Sequence, residues 1–310
     1  MILARNYRHF PFERVADGCV ATIGSFDGLH LGHQALLGHV VDESRRLGLP
    51  SVVMSFEPTP KEFFLSDRPP ARLMRFREKF EALEAAAIDI FFCPRFNAAM
   101  RNIAADAFIR QILVHALNVR HLVVGDDFRF AQDRQGHLDM LRRAGRALDF
   151  TVEQMSSVVV DGQRVSSSVI RESLWTGELQ LADRLLGRPY RMSGRVIPGE
   201  KMGRLLGYPT ANVNLNRKQS AVMGIFAVRV SGRRWGPLNA VASVGTRPTF
   251  GGTKPLLEVH IFDFDKDIYG EYIHVDFVAR LRGQEKFDDV NALVEQMHRD
   301  SALAREILAA

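Results

Sequence analysis

Residues 24–33 read Gly-Ser-Phe-Asp-Gly-Leu-His-Leu-Gly-His. They fall where an apolar strand ends and a helix begins, a place that suits phosphate. His30 and His33 are three apart, so they share one side of the first helical turn. A helix N-terminus presents unpaired N–H groups and a partial positive charge. Gly24 and Gly28 permit a tight turn with unusual dihedrals, Gly32 lets the backbone approach a ligand, and Phe26 and Asp27 complete the loop. The chemistry this implies is nucleotidyl transfer: an acceptor phosphate attacks the α-phosphorus of a nucleotide and pyrophosphate leaves. The protein supplies orientation and charge stabilisation rather than a nucleophile. A glycine-rich turn with two surface histidines is the plainer explanation of His-x-Gly-His alone. The added Gly-x-Phe-Asp-Gly, between strand and helix, weighs against it.

A second constellation lies far downstream. Gly194, Gly199, Gly203 and Gly207 are too closely spaced for a stable strand or helix. They imply a loop whose backbone comes close to something, most often phosphate held by successive N–H groups. Lys201 and Arg204 add positive charge. Thr210 and Asn212 bring hard oxygen ligands of the kind magnesium prefers. Two further segments carry polar candidates. In Val165–Arg171, Ser167 and Ser168 stand at a helix start, where hydroxyls cap N–H groups and bind phosphate oxygens. Arg171 there is suited to clamping phosphates. In Gly125–Phe130, Asp127 and Arg129 follow a buried strand, with Phe128 equally explicable as core.

These residues need elements to position them. CVATI (Cys19–Ile23), SVVMSF (Ser51–Phe56), IDIFF and HLVVG (His121–Gly125) are predicted strands. Between them lie helices from about His33 to Leu47, in REKFEALEAAA, and in DAFIRQILVHAL. Such alternation predicts a parallel sheet covered on both faces, with ligands beyond the carboxyl ends of its strands. The rest of the chain differs. YRMSGRVI, IFAVRV, LNAVASV, LLEVHIF and YIHVDFVARL follow one another without intervening helices, which predicts an antiparallel barrel or sandwich. A helix from about Val290 to Leu308 closes the chain. The boundary is placed near Leu185–Pro189, dividing the chain into 1–186 and 187–310.

Composition is that of a globular protein: 310 residues, 46% hydrophobic and 25% charged. No apolar run approaches the ~18 residues of a membrane helix. The opening segment lacks the apolar core of a secretory signal, and two cysteines make no disulfide framework; a cytoplasmic protein is expected. The net charge is +5. Up to residue 186, 23 basic residues balance 23 acidic ones, so the whole excess falls on 187–310. It is dispersed there, which fits anionic small substrates better than a nucleic-acid stripe.

The motifs also carry a family resemblance. Gly24–His33 resembles the nucleotidylyltransferase superfamily with its His-x-Gly-His signature, and its Phe-Asp-Gly form looks like the adenylyltransferase module of bacterial FAD synthetases. Val165–Arg171 and Gly125–Phe130 are similar to two further motifs of that module. The departures are Ser168 in a Thr position, Ala131 where glycine is usual, and Thr59 where histidine is frequent. Ala131 is compatible with a helical or extended backbone, whereas Thr59 puts a flavin or phosphate contact at its position in question. Gly194–Asn212 resembles the riboflavin kinase family, in which Pro-Thr-Ala-Asn binds magnesium and ATP. Ser243–Thr249 resembles another motif of that family, and Glu258 aligns with its catalytic glutamate. His260, on the same strand face, is assigned no role.

The resemblance covers residues 15–305 and implies a bacterial bifunctional riboflavin kinase/FAD synthetase. The implied fold is a Rossmann-like α/β nucleotidylyltransferase domain followed by a small antiparallel β-barrel with a C-terminal helix. The implied catalytic residues are Glu258, His30, His33 and Arg171. The phosphate contacts would come from the two glycine loops with Ser167 and Ser168. The flavin contacts would come from Asp127, Phe128 and Arg129. ATP would be co-substrate, Mg2+ the cofactor, and FMN and FAD the products. Partners are small molecules (riboflavin, FMN and ATP), with neither nucleic acid nor membrane, and any self-association weak. The competing expectation is a non-catalytic flavin or nucleotide regulator on the same scaffold.

Overall fold

The computed structural model describes residues 1–199, 203, 206–249 and 252–309. The chain divides into two compact units, Met1–Pro70 with Met74–Val165, and Ala71–Leu73 with Ser166–Ala310. Lys201 and Arg204 lie outside the described residues.

The first unit is built on a six-stranded parallel sheet. Its strands are β1 (Ile2–Ala4), β2 (Cys19–Ile23), β3 (Ser51–Met54), β4 (Ile90–Phe92), β5 (Val119–Gly125) and β6 (Thr151–Met155), in the order β1-β4-β3-β2-β5-β6. The helices are α1 (Leu31–Leu47), α2 (Pro60–Phe64), α3 (Phe76–Ala85), α4 (Ala98–Arg101), α5 (Ala105–Ala107) and α6 (Leu138–Leu148). A π-helical segment, Phe108–Ala116, continues α5.

Strand alternation divides the core. Val20, Val53, Phe91 and Val123 pack with Leu36, Leu37, Val40 and Val41 of α1 on one face. Ala21, Val52, Ile90, Phe92, Leu122 and Val124 meet Ile109, Ile112 and Leu113 on the other. A sheet covered on both faces reads as continuous apolar runs, which is why the central strands were predictable. Strand order reverses at β2, so the crevice outside its carboxyl end is the ligand position of this topology. Gly24–His33 leaves β2 at that point.

Hairpin strands β7 (Val159–Val160) and β8 (Gln163–Arg164) precede the second unit. That unit opens with α7 (Ser167–Thr176) and α8 (Leu179–Leu186). Its strands are β9 (Tyr190–Ile197), β10 (Ala211–Asn214), β11 (Gly224–Ser231), β12 (Leu238–Thr249), β13 (Gly252–Ile261) and β14 (Tyr272–Arg282). They form a closed antiparallel barrel in the order β10-β13-β12-β11-β14-β9, with β9 pairing back to β10. This decides between barrel and sandwich. Met192, Val213, Val228, Val244, Leu257, Val275 and Phe277 fill the barrel, each at most 1% exposed. On the opposite face, Ala227 and Phe262 pack beneath Ala304 and Leu308 of α9 (Val290–Ala309).

Candidate functional sites

The loop after β2 is a strained turn over the helix. Phe26, Gly28 and Leu29 all have positive φ, at 46°, 90° and 40°. Only one of the three is glycine, and two are bulky residues for which this region is costly. Gly24 is not among them, contrary to the dihedral expectation. Its hydrogen side chain instead makes room for Phe26, whose ring would lie 3.0 Å from an added Cβ. Phe26 is buried and packs against His33. Asp27 is buried too, and its Oδ1 accepts from the Met74 N–H at 2.9 Å.

His30 is the N-cap of α1. Its Nδ1 accepts from the His33 backbone N–H at 3.3 Å, so the ring proton is on Nε2. The His30 and His33 rings stack with centroids 3.7 Å apart. An added Cβ at Gly32 would lie 3.3 Å from the His30 ring, so this glycine clears space for the catalytic candidate itself. The His33 imidazole is held well below the usual histidine range by burial, with His30 and Lys79 adding repulsion. It is therefore neutral at pH 7, and its buried Nδ1 has no hydrogen-bond partner among the described residues.

Lys79 is a buried residue at this loop that the sequence did not single out. It is 3% exposed, and its Nζ donates to the Ser25 carbonyl at 2.5 Å, supporting the loop after β2. The available signal was a lysine on the apolar face of α3, three residues from Phe76 and four from Leu83.

Thr59, the departure from the histidine pattern, has a local purpose. It caps α2 in a reciprocal box: its hydroxyl and N–H both donate to Glu62 Oε2 at 2.9 Å. Beyond β5, Asp127 and Arg129 are exposed, and Phe128 stacks on the buried Phe130. Asp126 is the anchored carboxylate there. It accepts from the Ser157 hydroxyl at 2.9 Å and the Arg164 guanidinium at 2.8 Å. Ala131 has φ 64° and ψ −170°, neither helical nor extended. The expectation for Ala131 is thus corrected: the backbone demands the conformation glycine adopts freely, and alanine occupies it under strain.

In the second unit, Ser166 rather than Ser167 or Ser168 caps α7, accepting from the Val169 N–H at 3.3 Å. Ser167 and Ser168 are the first two helical residues. Arg171 donates to the Ala71 and Ser167 carbonyls at 2.7 and 3.1 Å.

The barrel brings the second constellation together by strand register. Asn212 on β10 is paired with Glu258 on β13, and Glu258 with Ser243 on β12. Directly opposed residues share a face. The neighbouring row, Val213–Leu257–Val244, is buried inside, so the polar row looks outward. Thr210 is two residues before Asn212 on extended chain and shares its side. The result is a donor set composed of oxygens, with a carboxylate beside it. Gln284 Nε2 donates to Ser243 Oγ at 3.3 Å.

The glycines of this loop approach the chain's own side chains. A Cβ at Gly199 would collide with the Asn212 amide, and one at Gly203 with the Tyr208 carbonyl, 3.3 Å from Thr210 Oγ1. Gly207 has φ +83°, the left-handed region. The segment is then pinned from outside. His260 Nδ1 pairs with the Pro209 carbonyl at 2.9 Å, and the Tyr208 hydroxyl bonds to His298 Nδ1 of α9. His260 thus has a positioning contact. A cavity of about 670 Å³ adjoins Thr210, lined also by Pro209, Ala211, Asp265, Lys266 and Tyr269. Its size is that of a small-molecule site.

A parallel-sheet unit with a histidine-capped helix at its switch point, and a closed barrel carrying an Asn–Glu row on its outer face, are the frame of a two-site phosphate-transfer enzyme. The family models agree: FAD synthetase matches residues 12–169 and riboflavin kinase residues 186–308. The chain belongs to the family of bifunctional riboflavin kinases/FMN adenylyltransferases. It is 44% identical over 293 residues to the protein of that name from Haemophilus influenzae, covering 94% of this chain and 95% of the relative. It is 43% identical over 290 residues to the one from Escherichia coli K12, covering 94% and 93%. A solved structure described as a macrolide-efflux protein from Streptococcus pneumoniae superposes with a TM-score of 0.82 at 31% identity, covering 98% of each chain. Among the described residues no helix is long and apolar enough to cross a membrane.

Proposed function

We propose that this chain phosphorylates riboflavin with ATP to give FMN, and then joins FMN to AMP from a second ATP to give FAD and pyrophosphate. The second reaction belongs to 1–186 and the first to 187–310, a division supported by the FAD synthetase match over residues 12–169 and the riboflavin kinase match over residues 186–308. Its partners are accordingly riboflavin, FMN and ATP, and its setting is the cytoplasm.

For the kinase step, the observation that supports the reading is the register pairing of Asn212 with Glu258. Glu258 takes the proton from the ribityl 5′-hydroxyl as that oxygen attacks the γ-phosphorus and ADP leaves. Thr210 and Asn212 offer the hard oxygens that Mg2+ requires, and the ion when bound neutralises phosphate charge. The cavity beside Thr210 suits the nucleotide, with Lys266 on its wall.

For the transferase step, the FMN phosphate attacks the α-phosphorus of ATP. The neutral His33 ring and His30 Nε2–H donate hydrogen bonds to phosphate oxygens as charge shifts towards pyrophosphate. Arg171 stabilises the leaving pyrophosphate, with Ser167 and Ser168 as further phosphate contacts. Asp127, Phe128 and Arg129 meet the flavin.

The test is a time course with riboflavin, ATP and Mg2+, the flavins resolved by chromatography. FMN should appear first and then convert to FAD. If neither forms, and FMN supplied directly also goes unconverted, the reading is wrong.

A further inference from the structure

The first unit contains a cluster of two histidines and a carboxylate, side chains of metal-ligand type, that neither reaction uses. His39 lies on α1, His121 on β5 and Glu153 on β6, and one ligand atom from each falls within 4.8 Å of the others. His39 Nε2 is 2.9 Å and His121 Nε2 3.2 Å from the same oxygen, Glu153 Oε2. A tetrahedral zinc site with bonds of about 2.05 Å has ligand atoms about 3.3 Å apart. The separations to Glu153 are already near that value.

The placement follows from strand register. His121 is paired with Thr151, and Glu153 is two residues further along β6. All three therefore project from one face of the sheet. That face is the one α1 covers, since Val123 beneath it packs with Leu37 and Val40. The three ligands are thus carried by a helix and two strands, the rigid positions that metal sites favour.

The surrounding hydrogen bonds set the tautomer. The Thr151 hydroxyl donates to the Arg120 carbonyl at 3.2 Å, so at 2.7 Å it accepts from His121 Nδ1–H. With Nδ1 so engaged, His121 presents Nε2 to the Glu153 carboxylate. A histidine whose second nitrogen is held by a partner is the usual metal-binding arrangement.

We propose that His39, His121 and Glu153 form a binding site for a divalent transition-metal ion of the zinc class, completed by water, which fastens α1 to the β5–β6 edge of the sheet. Two imidazoles and one carboxylate select zinc-like ions over Mg2+, which prefers an all-oxygen set. The site is separate from the phosphate loop. His39 is six residues along α1 from His33, about 9 Å of helix rise, and His121 precedes the carboxyl end of β5. Glu43, one turn beyond His39, is engaged by the Arg46 guanidinium at 2.6 Å.

The experiment uses the full chain, stripped with chelator and titrated with Zn2+ alone. One tightly bound Zn2+ per chain is expected, with a raised melting temperature that the same concentration of Mg2+ does not reproduce. His39→Gln and Glu153→Gln should lose that binding while retaining FMN adenylylation, which reports that the first unit is folded. Thr151→Val, which removes the partner of His121 Nδ1, should weaken binding by about 10–100-fold. Co2+ in place of Zn2+ should give tetrahedral visible absorption in the native chain and not in Glu153→Gln. Undiminished Zn2+ uptake by His39→Gln and Glu153→Gln would place the ion elsewhere, for instance on the stacked His30–His33 pair, and overturn the proposal. No uptake by the native chain would also overturn it, leaving a proton as the bridging cation.

Discussion

Asn212 on β10 stands directly opposite Glu258 on β13, so one row across the barrel holds both a proposed metal-binding oxygen and the proposed base. The pairing makes a simple expectation. Glu258→Gln keeps the shape and removes the base, so FMN formation should fall by about 10²–10⁴. FAD formation from supplied FMN should be unchanged, because its proposed groups lie elsewhere. Flavin chromatography measures both, and loss of both activities in a folded variant would refute the division of labour.

His30 has two separable duties, capping α1 and contacting phosphate. His30→Ala should cost about 2–4 kcal/mol of transition-state stabilisation in FMN adenylylation, together with about 1 kcal/mol of stability from the lost cap. His30→Asn restores a capping side chain, so it should recover the melting temperature but not the rate. Equal recovery of both would leave His30 a structural residue only.

Ala131 invites a stabilising change. Its backbone lies in a region open essentially to glycine alone, at a strain of about 1–3 kcal/mol. Ala131→Gly should raise stability by about 1 kcal/mol after the added freedom of the unfolded chain is counted. Thermal or urea unfolding decides it, and a drop in stability would show that the strain is not there.

His33 predicts an acid sensitivity. The folded imidazole is held well below the 6.5 of a free histidine. Between those two values the unfolded chain binds a proton that the folded chain does not. The stability it contributes is complete above about pH 6.5 and falls as pH drops below it, by at most about 1.4 kcal/mol per pH unit. Denaturation of His33→Gln at pH 7 and pH 5.5 should show a smaller loss than the native chain.

Asp183 predicts the opposite sign. Burial pushes its carboxyl up to about 6, with Asp276 adding to the shift, although the Tyr190 N–H bonded to it pulls the other way. The folded chain therefore holds a proton that the unfolded chain has released. That contribution is present below about pH 4 and is lost as pH rises through 6. Asp183→Asn should be more stable than the native chain at pH 7.5, with the difference gone near pH 4. A constant difference across that range would remove Asp183 as the cause.

Legibility of the sequence tracked burial. The central strands and the long barrel strands announce themselves because one or both faces are apolar. Five that did not are β1, three residues long; β6, whose Thr-Val-Glu-Gln-Met is polar and half exposed at a sheet edge; the two-residue β7 and β8; and β10, embedded in Pro-Thr-Ala-Asn. The motif residues were legible as residue types, but their geometry was not. Ser166 is indistinguishable by type from Ser167, and no spacing rule gives Ala131 a positive φ. Register joins Asn212 to Glu258 across 46 positions, and no local pattern encodes it. His39, His121 and Glu153 were invisible for the same reason, since a helix and two strands assemble them.

The barrel's alternation has one more consequence. Side chains along β13 switch faces at each step, so a slip of one residue would exchange Glu258 and His260 with Leu257 and Val259. A carboxylate would then be driven into the apolar interior, and a closed barrel has no loose edge to absorb the error. Misaligned molecules should therefore be unstable as well as inactive. Phosphorylation of riboflavin would then serve as a census of correctly threaded barrels, and its recovery on refolding would count native molecules directly.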